Sequence, residues 1–150
     1  MSINVELKEI GIIHTPYKEL SECPIQPSRS KAKAEVEVFK EYEEALSDLD
    51  LFSHIILLFV FHKSEGYSLK VKPFLDDNLR GLFATRAPRR PNQIGISVVE
   101  LIEIRDNILK VKGIDVLNGT PLIDIKPYVP EFDRREDIRV GWLNGKILVG

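Results

Sequence analysis

The chain has one cysteine, Cys23, among its 150 residues. No internal disulfide can form and no multi-cysteine zinc site can be built, so a reducing, cytoplasmic location is expected. Long hydrophobic runs are also missing. The longest nearly apolar stretch, Leu51 to His62, is a dozen residues with His54 inside it, against the roughly 20 that a membrane-spanning helix needs. The opening MSINVELKEI has neither a basic leader nor an apolar core with a cleavage site, and does not read as a signal peptide. A soluble protein with no membrane contact is expected. There is no G-x-S-x-G elbow, no P-loop and no G-x-G-x-x-G after a strand, which argues against an α/β-hydrolase, a P-loop nucleotidase and a dinucleotide-type Rossmann site. Excess charge of either sign is missing too: the formal net charge is −2. Any attraction to nucleic acid must come from a local cluster.

What is present fits one globular domain spanning residues 1–150, large enough to bury a core without staples. Val5 and Leu7, then Ile10 and Ile12, alternate with polar neighbours as in a half-buried strand, with a parity shift at Lys8-Glu9 that suggests a bulge. Thr15 to Lys33 carries Pro16, Pro24 and Pro27 and is expected to be a long irregular loop. Phe39, Tyr42, Leu46 and Leu49 recur at helical spacing and predict the one substantial helix. HIILLFVFH and Ile94 to Ile104 are apolar on both parities, as in strands covered on both faces. Leu109 and Val111 alternate with lysines after an Asp106-Asn107 turn, and Ile123 and Ile125 alternate with Asp124 and Lys126 after an Asn118-Gly119 turn. Asn144-Gly145 predicts a last hairpin joining GWL to KILV. The expected fold is mainly β: a small antiparallel or mixed β-barrel with one short amphipathic helix and a long N-terminal loop.

Two segments carry candidate chemistry. FATRAPRRPNQIG places Arg86, Arg89 and Arg90 beside Pro88 and Pro91, and no acidic residue lies between Asn78 and Val99. Proline narrows the conformations open to these arginines, and preorganised guanidinium groups suit phosphate or carboxylate. In DVLNGTPLIDIKPY, Asp115, Asn118 and Thr120 offer polar groups, and Gly119 allows close approach to the backbone. The histidines do not predict a metal site. His54 and His62 are about 26 Å apart on one strand at roughly 3.3 Å per residue. His54 reads as a hydrogen-bonded core residue and His62 as facing a cleft.

The segments IGIIHTPYK, FSHIILLFVFH, FATRAPRRPNQIGISVVEL and GIDVLNGTPLIDIKPYVP occur in the order and approximate spacing of the TsaA-like, or TrmO, family, which the chain resembles over nearly its whole length. Members are S-adenosylmethionine-dependent methyltransferases acting on tRNA. The resemblance implies a β-barrel enzyme unlike the Rossmann type, working as a homodimer with the cofactor near the interface and the tRNA anticodon loop as partner. The acceptor it implies is N6-threonylcarbamoyladenosine at position 37. Carried over by position, the cofactor site comprises Pro24, Ile25, Gln26, His62, Lys63, Arg86, Ile96, Val116, Leu117, Asn118 and Gly119.

Methyl transfer to that nitrogen also needs a proton acceptor, for which Asp124, His62 and Tyr128 are the candidates; Arg89, Arg90 and Lys126 are assigned to phosphate or to the carboxylate of the modification. The chain departs from the family pattern at Ile25, where arginine is common, at Asn118, where aspartate is usual, and at Gln93, where proline is usual and whose loss is expected to loosen the loop. The C-terminal extension of longer members is also absent. Two alternatives stay open: a related methyltransferase with another RNA or small-molecule acceptor, and a non-catalytic S-adenosylmethionine-binding module.

Overall fold

The computed structural model describes residues 3–19 and 32–146, which fall into two compact units. The first runs to His62 and resumes at Ile94–Tyr128. It contains β1 (Gly11–His14), β2 (Lys33–Val38), β3 (His54–Val60), β6 (Ile94–Arg105), β7 (Ile108–Lys112) and β8 (Thr120–Pro127). The six close into a barrel in the order β1-β2-β7-β6-β3-β8, with every neighbouring pair antiparallel. Closure leaves no free edge along the main ladder, as the turn-rich strand pattern predicted.

Alternation explains the interior. Ala34, Val36 and Val38 of β2, Ile55, Leu57 and Phe59 of β3, and Leu109 and Val111 of β7 point inward and are buried, while Glu35 and Lys110 face out. The register sets Phe59 opposite Gly95, and a Cβ on Gly95 would collide with the rings of Phe59 and Phe61. The glycine makes room for two aromatic side chains packed edge to face at 5.4 Å. A bulge between Leu58 and Phe59 shifts the β3–β8 register, so Leu122 is fully buried while Ile125 packs at the core's margin.

Several expectations change. The first strand starts only at Gly11, and Ile3, Val5 and Leu7 are exposed: alternation without a partner ladder does not make a strand. The amphipathic segment forms 3-10 turns at Lys40–Leu46 and Leu49–Leu51 rather than one α-helix; Asp48, with φ of 70°, breaks it between them. β6 is covered on one face only, since Ile94, Ile96, Val98 and Ile102 remain exposed. His54 is exposed, bonded to Ser53 Oγ through Nδ1 at 2.8 Å, instead of lying in the core.

The second unit comprises Lys63–Gln93 and the residues from Val129 onward. It holds the two-residue strands β4 (Lys70–Val71) and β5 (Arg80–Gly81), a 3-10 turn at Leu82–Ala84 and the single helical turn α1 (Pro130–Asp133). GWL is a 3-10 turn at Gly141–Leu143, not a hairpin strand, and the end of KILV lies outside the described residues. Its anchor is Asp76, only 7% exposed, which pairs with Arg80 and with Lys146 Nζ at 2.7 Å.

Candidate functional site

In the barrel unit, the antiparallel register decides which residues share an end. Val60 pairs with Ile94 and Leu58 with Ile96, while Phe59 faces Leu122 on β8. His62, Ile96 and the Leu117–Gly119 turn therefore lie toward one end of the barrel. Tyr128 lies toward the other, its N–H donating to the His54 carbonyl at 3.1 Å and its ring 6.5 Å from the His54 ring. Asp124 lies between them on β8. Within one chain, the three proton-acceptor candidates are not brought together.

The turn is held tightly. Asn118 accepts the Thr15 N–H through Oδ1 at 3.0 Å, and its own N–H donates to the Tyr17 carbonyl at 2.7 Å. The Thr15 hydroxyl donates to Val116 O at 2.8 Å, and the buried Thr120 hydroxyl donates to Leu117 O at 2.6 Å. Gly119, at φ of 86°, supplies the backbone conformation this turn requires. Asn118 thus fixes Thr15 and Tyr17, just beyond β1, against the turn, a role its side-chain oxygen fills without a charge; residues 20–31 of the expected loop lie outside the described residues. Next to it, burial pushes the Asp115 carboxyl above the usual carboxylate range.

In the second unit the arginine loop follows the Leu82–Ala84 turn. The Thr85 hydroxyl donates to Leu82 O at 2.7 Å, and Arg90 Nη1 donates to the carbonyls of Thr85 and Ala87 at 2.9 and 3.0 Å. The Arg90 guanidinium also stands over the Phe83 ring, 5.9 Å from its centroid. Gln93 donates through its amide to the Ser64 carbonyl, so it ties the loop down where the sequence suggested loosening. Arg90 is engaged within the loop. Arg86 and Arg89 are exposed and make no hydrogen bond or ion pair with a described residue. The unit carries eleven Lys and Arg against seven Asp and Glu, a formal +4, whereas the barrel unit is formally −6. The near-neutral total conceals this separation.

Two cations hold the Asp76 carboxyl well below the usual carboxylate range: the hydrogen bond from Arg80 contributes most, followed by that from Lys146. A depressed folded-state pKa means stabilisation that is present above the ordinary carboxylate pKa and lost as pH falls through the folded value. Thermal unfolding followed from pH 7 down to about 2 is expected to show acid destabilisation that sets in near pH 4 and is smaller in Asp76→Asn, the variant being the less stable at pH 7. Parallel pH curves for the two proteins would show that Asp76 is not the responsible group.

Residues 12–134 match the sequence profile of the tRNA-methyltransferase O N-terminal domain. The chain belongs to the TrmO family. A probable S-adenosyl-L-methionine-binding protein of Pyrococcus abyssi is 53% identical over 141 residues, covering 93% of this chain and 77% of that protein. The tRNA (adenine(37)-N6)-methyltransferase of Escherichia coli is 43% identical over 136 residues, covering 83% of this chain and 58% of that protein. The crystal structure of TrmO from Pseudomonas aeruginosa superposes with a TM-score of 0.79 at 39% identity, covering 93% of this chain and 62% of that one. The chain thus spans about three fifths of the two latter proteins.

Of the positions taken over from the TrmO pattern, Pro24, Ile25 and Gln26 lie outside the described residues. Val116, Leu117, Asn118 and Gly119 form the stitched turn of the barrel unit, with Ile96 on β6 and the exposed His62 just beyond β3. Lys63 and Arg86 belong to the second unit and are exposed. Lys126 is paired with Asp124 at 3.1 Å. Among the described residues no group of three or more His, Cys, Asp and Glu side chains is placed to hold a metal ion, and no helix is long and apolar enough to cross a membrane. Two features escaped the residue pattern. The burial of Asp115 depends on chain packing, and Phe83 reads as a core residue by type yet projects outward.

Proposed function

We propose that the protein is an S-adenosylmethionine-dependent tRNA methyltransferase that methylates N6 of threonylcarbamoyladenosine at position 37, beside the anticodon. The observation that carries this reading is the 43% identity to the Escherichia coli tRNA (adenine(37)-N6)-methyltransferase. The turn Val116–Gly119, with Ile96 and His62, is the barrel's contribution to cofactor binding. Pro24, Ile25, Gln26, Lys63 and Arg86 complete the family's set. Bound S-adenosylmethionine supplies an electrophilic methyl on a sulfonium. The chain's own part is to hold the acceptor nitrogen in line with the S–CH₃ bond and to take the proton that nitrogen loses. His62 lies at the same barrel end as the turn and is the preferred proton acceptor. Asp124 is tied to Lys126, and Tyr128 lies toward the far end of its own barrel.

The decisive experiment incubates labelled S-adenosylmethionine with tRNA that does or does not carry the threonylcarbamoyl group. Label is expected only in the modified tRNA. Label in both, or in neither while calorimetry shows cofactor binding, would transfer the proposal to another acceptor or to a binding module.

The protein is further proposed to act in the cytoplasm as a homodimer. The support for the dimer is the outer face of β3 and β6, where Ile94, Ile96, Val98 and Ile102 stay exposed beside the half-buried Ile56, Leu58 and Val60. A contiguous aliphatic face of this kind marks a protein contact more often than free surface. Sedimentation is expected to show a dimer, and Val98→Lys a folded monomer, because Val98 points away from the barrel interior. A wild-type monomer at micromolar concentration would remove this part.

A further inference from the structure

Phe83 is 78% exposed at the head of the arginine loop, while Leu82 beside it is buried and anchors the turn. Phe74 and Phe132 of the same unit are nearly as exposed, and a lone apolar side chain in water is ordinary; what distinguishes Phe83 is the cation held over its ring. The ring is also held in place. Arg90 covers it from 5.9 Å and is itself fixed by the Thr85 and Ala87 carbonyls. The next residue, Ala84, accepts the Trp142 indole N–H through its carbonyl at 2.8 Å. Arg89 stands exposed nearby in sequence with no ion pair among the described residues. The surrounding unit is formally +4.

A fixed, exposed aromatic ring set among cations is the chemistry of single-stranded nucleic acid binding: bases stack on the ring while guanidinium groups meet the backbone. We propose that Phe83, backed by Arg90, is a stacking platform for one unpaired nucleobase, with Arg89 on an adjoining phosphate. A protein partner would also draw on aromatic and arginine side chains; the acid-free stretch from Asn78 to Val99 and the unit's formal +4 favour a polyanion instead. The proposal rests on the tRNA reading and adds to it a preference for an open loop over paired RNA.

The test measures fluorescence anisotropy with a labelled RNA hairpin bearing an open loop and with a fully paired duplex of equal length. Phe83→Ala is expected to weaken hairpin binding about tenfold or more, with little change for the duplex and the same salt dependence, because stacking is not ionic. Phe83→Trp is expected to restore it. Unchanged hairpin affinity in the alanine variant overturns the platform, as does an equal loss for hairpin and duplex. A dimer that dissociates on Phe83→Ala while RNA affinity holds reassigns the ring to a protein contact. The tRNA reading can survive each of these results, because methylation of modified tRNA is read separately. Failure of the wild-type protein to bind either RNA removes both ideas.

Discussion

Gly11→Ala is expected to destabilise the barrel by about 3 kcal/mol or more. β1 has four residues, yet it closes the barrel by pairing with β2 on one side and β8 on the other. Gly11 faces Val38 and Leu122 in those two ladders. A Cβ there would overlap the Glu37 carbonyl oxygen and lie 3.1 Å from both the Glu37 carbonyl carbon and the Val38 Cα. These are backbone atoms and cannot rotate aside as a side chain would. Their surroundings are fixed as well: Val38 N–H donates to Asn107 O at 2.9 Å and Phe39 N–H to Ile10 O at 2.8 Å. Overpacking of a core usually costs about 1–3 kcal/mol, and more when backbone must move; here relief requires opening one of the two ladders that close the ring. Gly81→Ala provides the control, because nothing lies within 4 Å of its added Cβ and its φ is ordinary. That variant should stay within about 0.5 kcal/mol of the parent in urea unfolding. Equal midpoints for the two variants would mean that β1 can move away without cost.

The same barrel shows where residue pattern suffices and where it does not. β7 and β8 follow from alternation and turn chemistry, because a barrel strand meets its interior every second residue, and β3 follows from its β-branched and aromatic run. The alternation of Ala34, Val36 and Val38 with Glu35 and Glu37 is just as plain, but six residues squeezed between a proline-rich segment and a helical pattern carry no turn signal to mark β2. Pattern misleads in the opposite sense at Val5 and Leu7, where the period is right but no strand lies alongside to complete the ladder. On β6 the doubly apolar sequence was read as coverage on both faces, and the exposed outer row instead leaves an aliphatic surface. β4 and β5, at two residues each, are too short to carry any period.

Candidate chemistry divides in a similar way. Residue type alone pointed to the arginine loop and the Asn118-Gly119 turn. It could not foresee that Arg90 is occupied by the carbonyls of its own loop, that Gln93 anchors to Ser64, or that the net charge separates into a cationic unit and an anionic one. Those properties arise from which segments pack together, and the chain's linear order hides this for a unit assembled from Lys63–Gln93 and residues beyond Tyr128.

RNA affinity is expected to fall about 100-fold for each tenfold rise in salt. Phosphate contacts act by releasing counterions, with a slope of about −0.7 per contact for single strands, so with the second unit engaging about three phosphates, one of them through Arg89, the slope is near −2. The barrel unit, formally −6, repels RNA as a whole, so this attraction must come from the second unit. Arg89→Ala is expected to make the slope shallower by about 0.7 and to leave cofactor binding by calorimetry unchanged, since the guanidinium is exposed and takes no part in the loop's internal hydrogen bonds. Arg86→Ala is expected to do the reverse, weakening S-adenosylmethionine binding with little change in salt slope. The contrast matters more than either value: two arginines three residues apart share one local field, so a purely diffuse attraction would respond alike to the loss of either. Equal changes in both measurements would reduce the loop to a non-specific cationic surface, and a wild-type slope near zero would remove RNA as its partner.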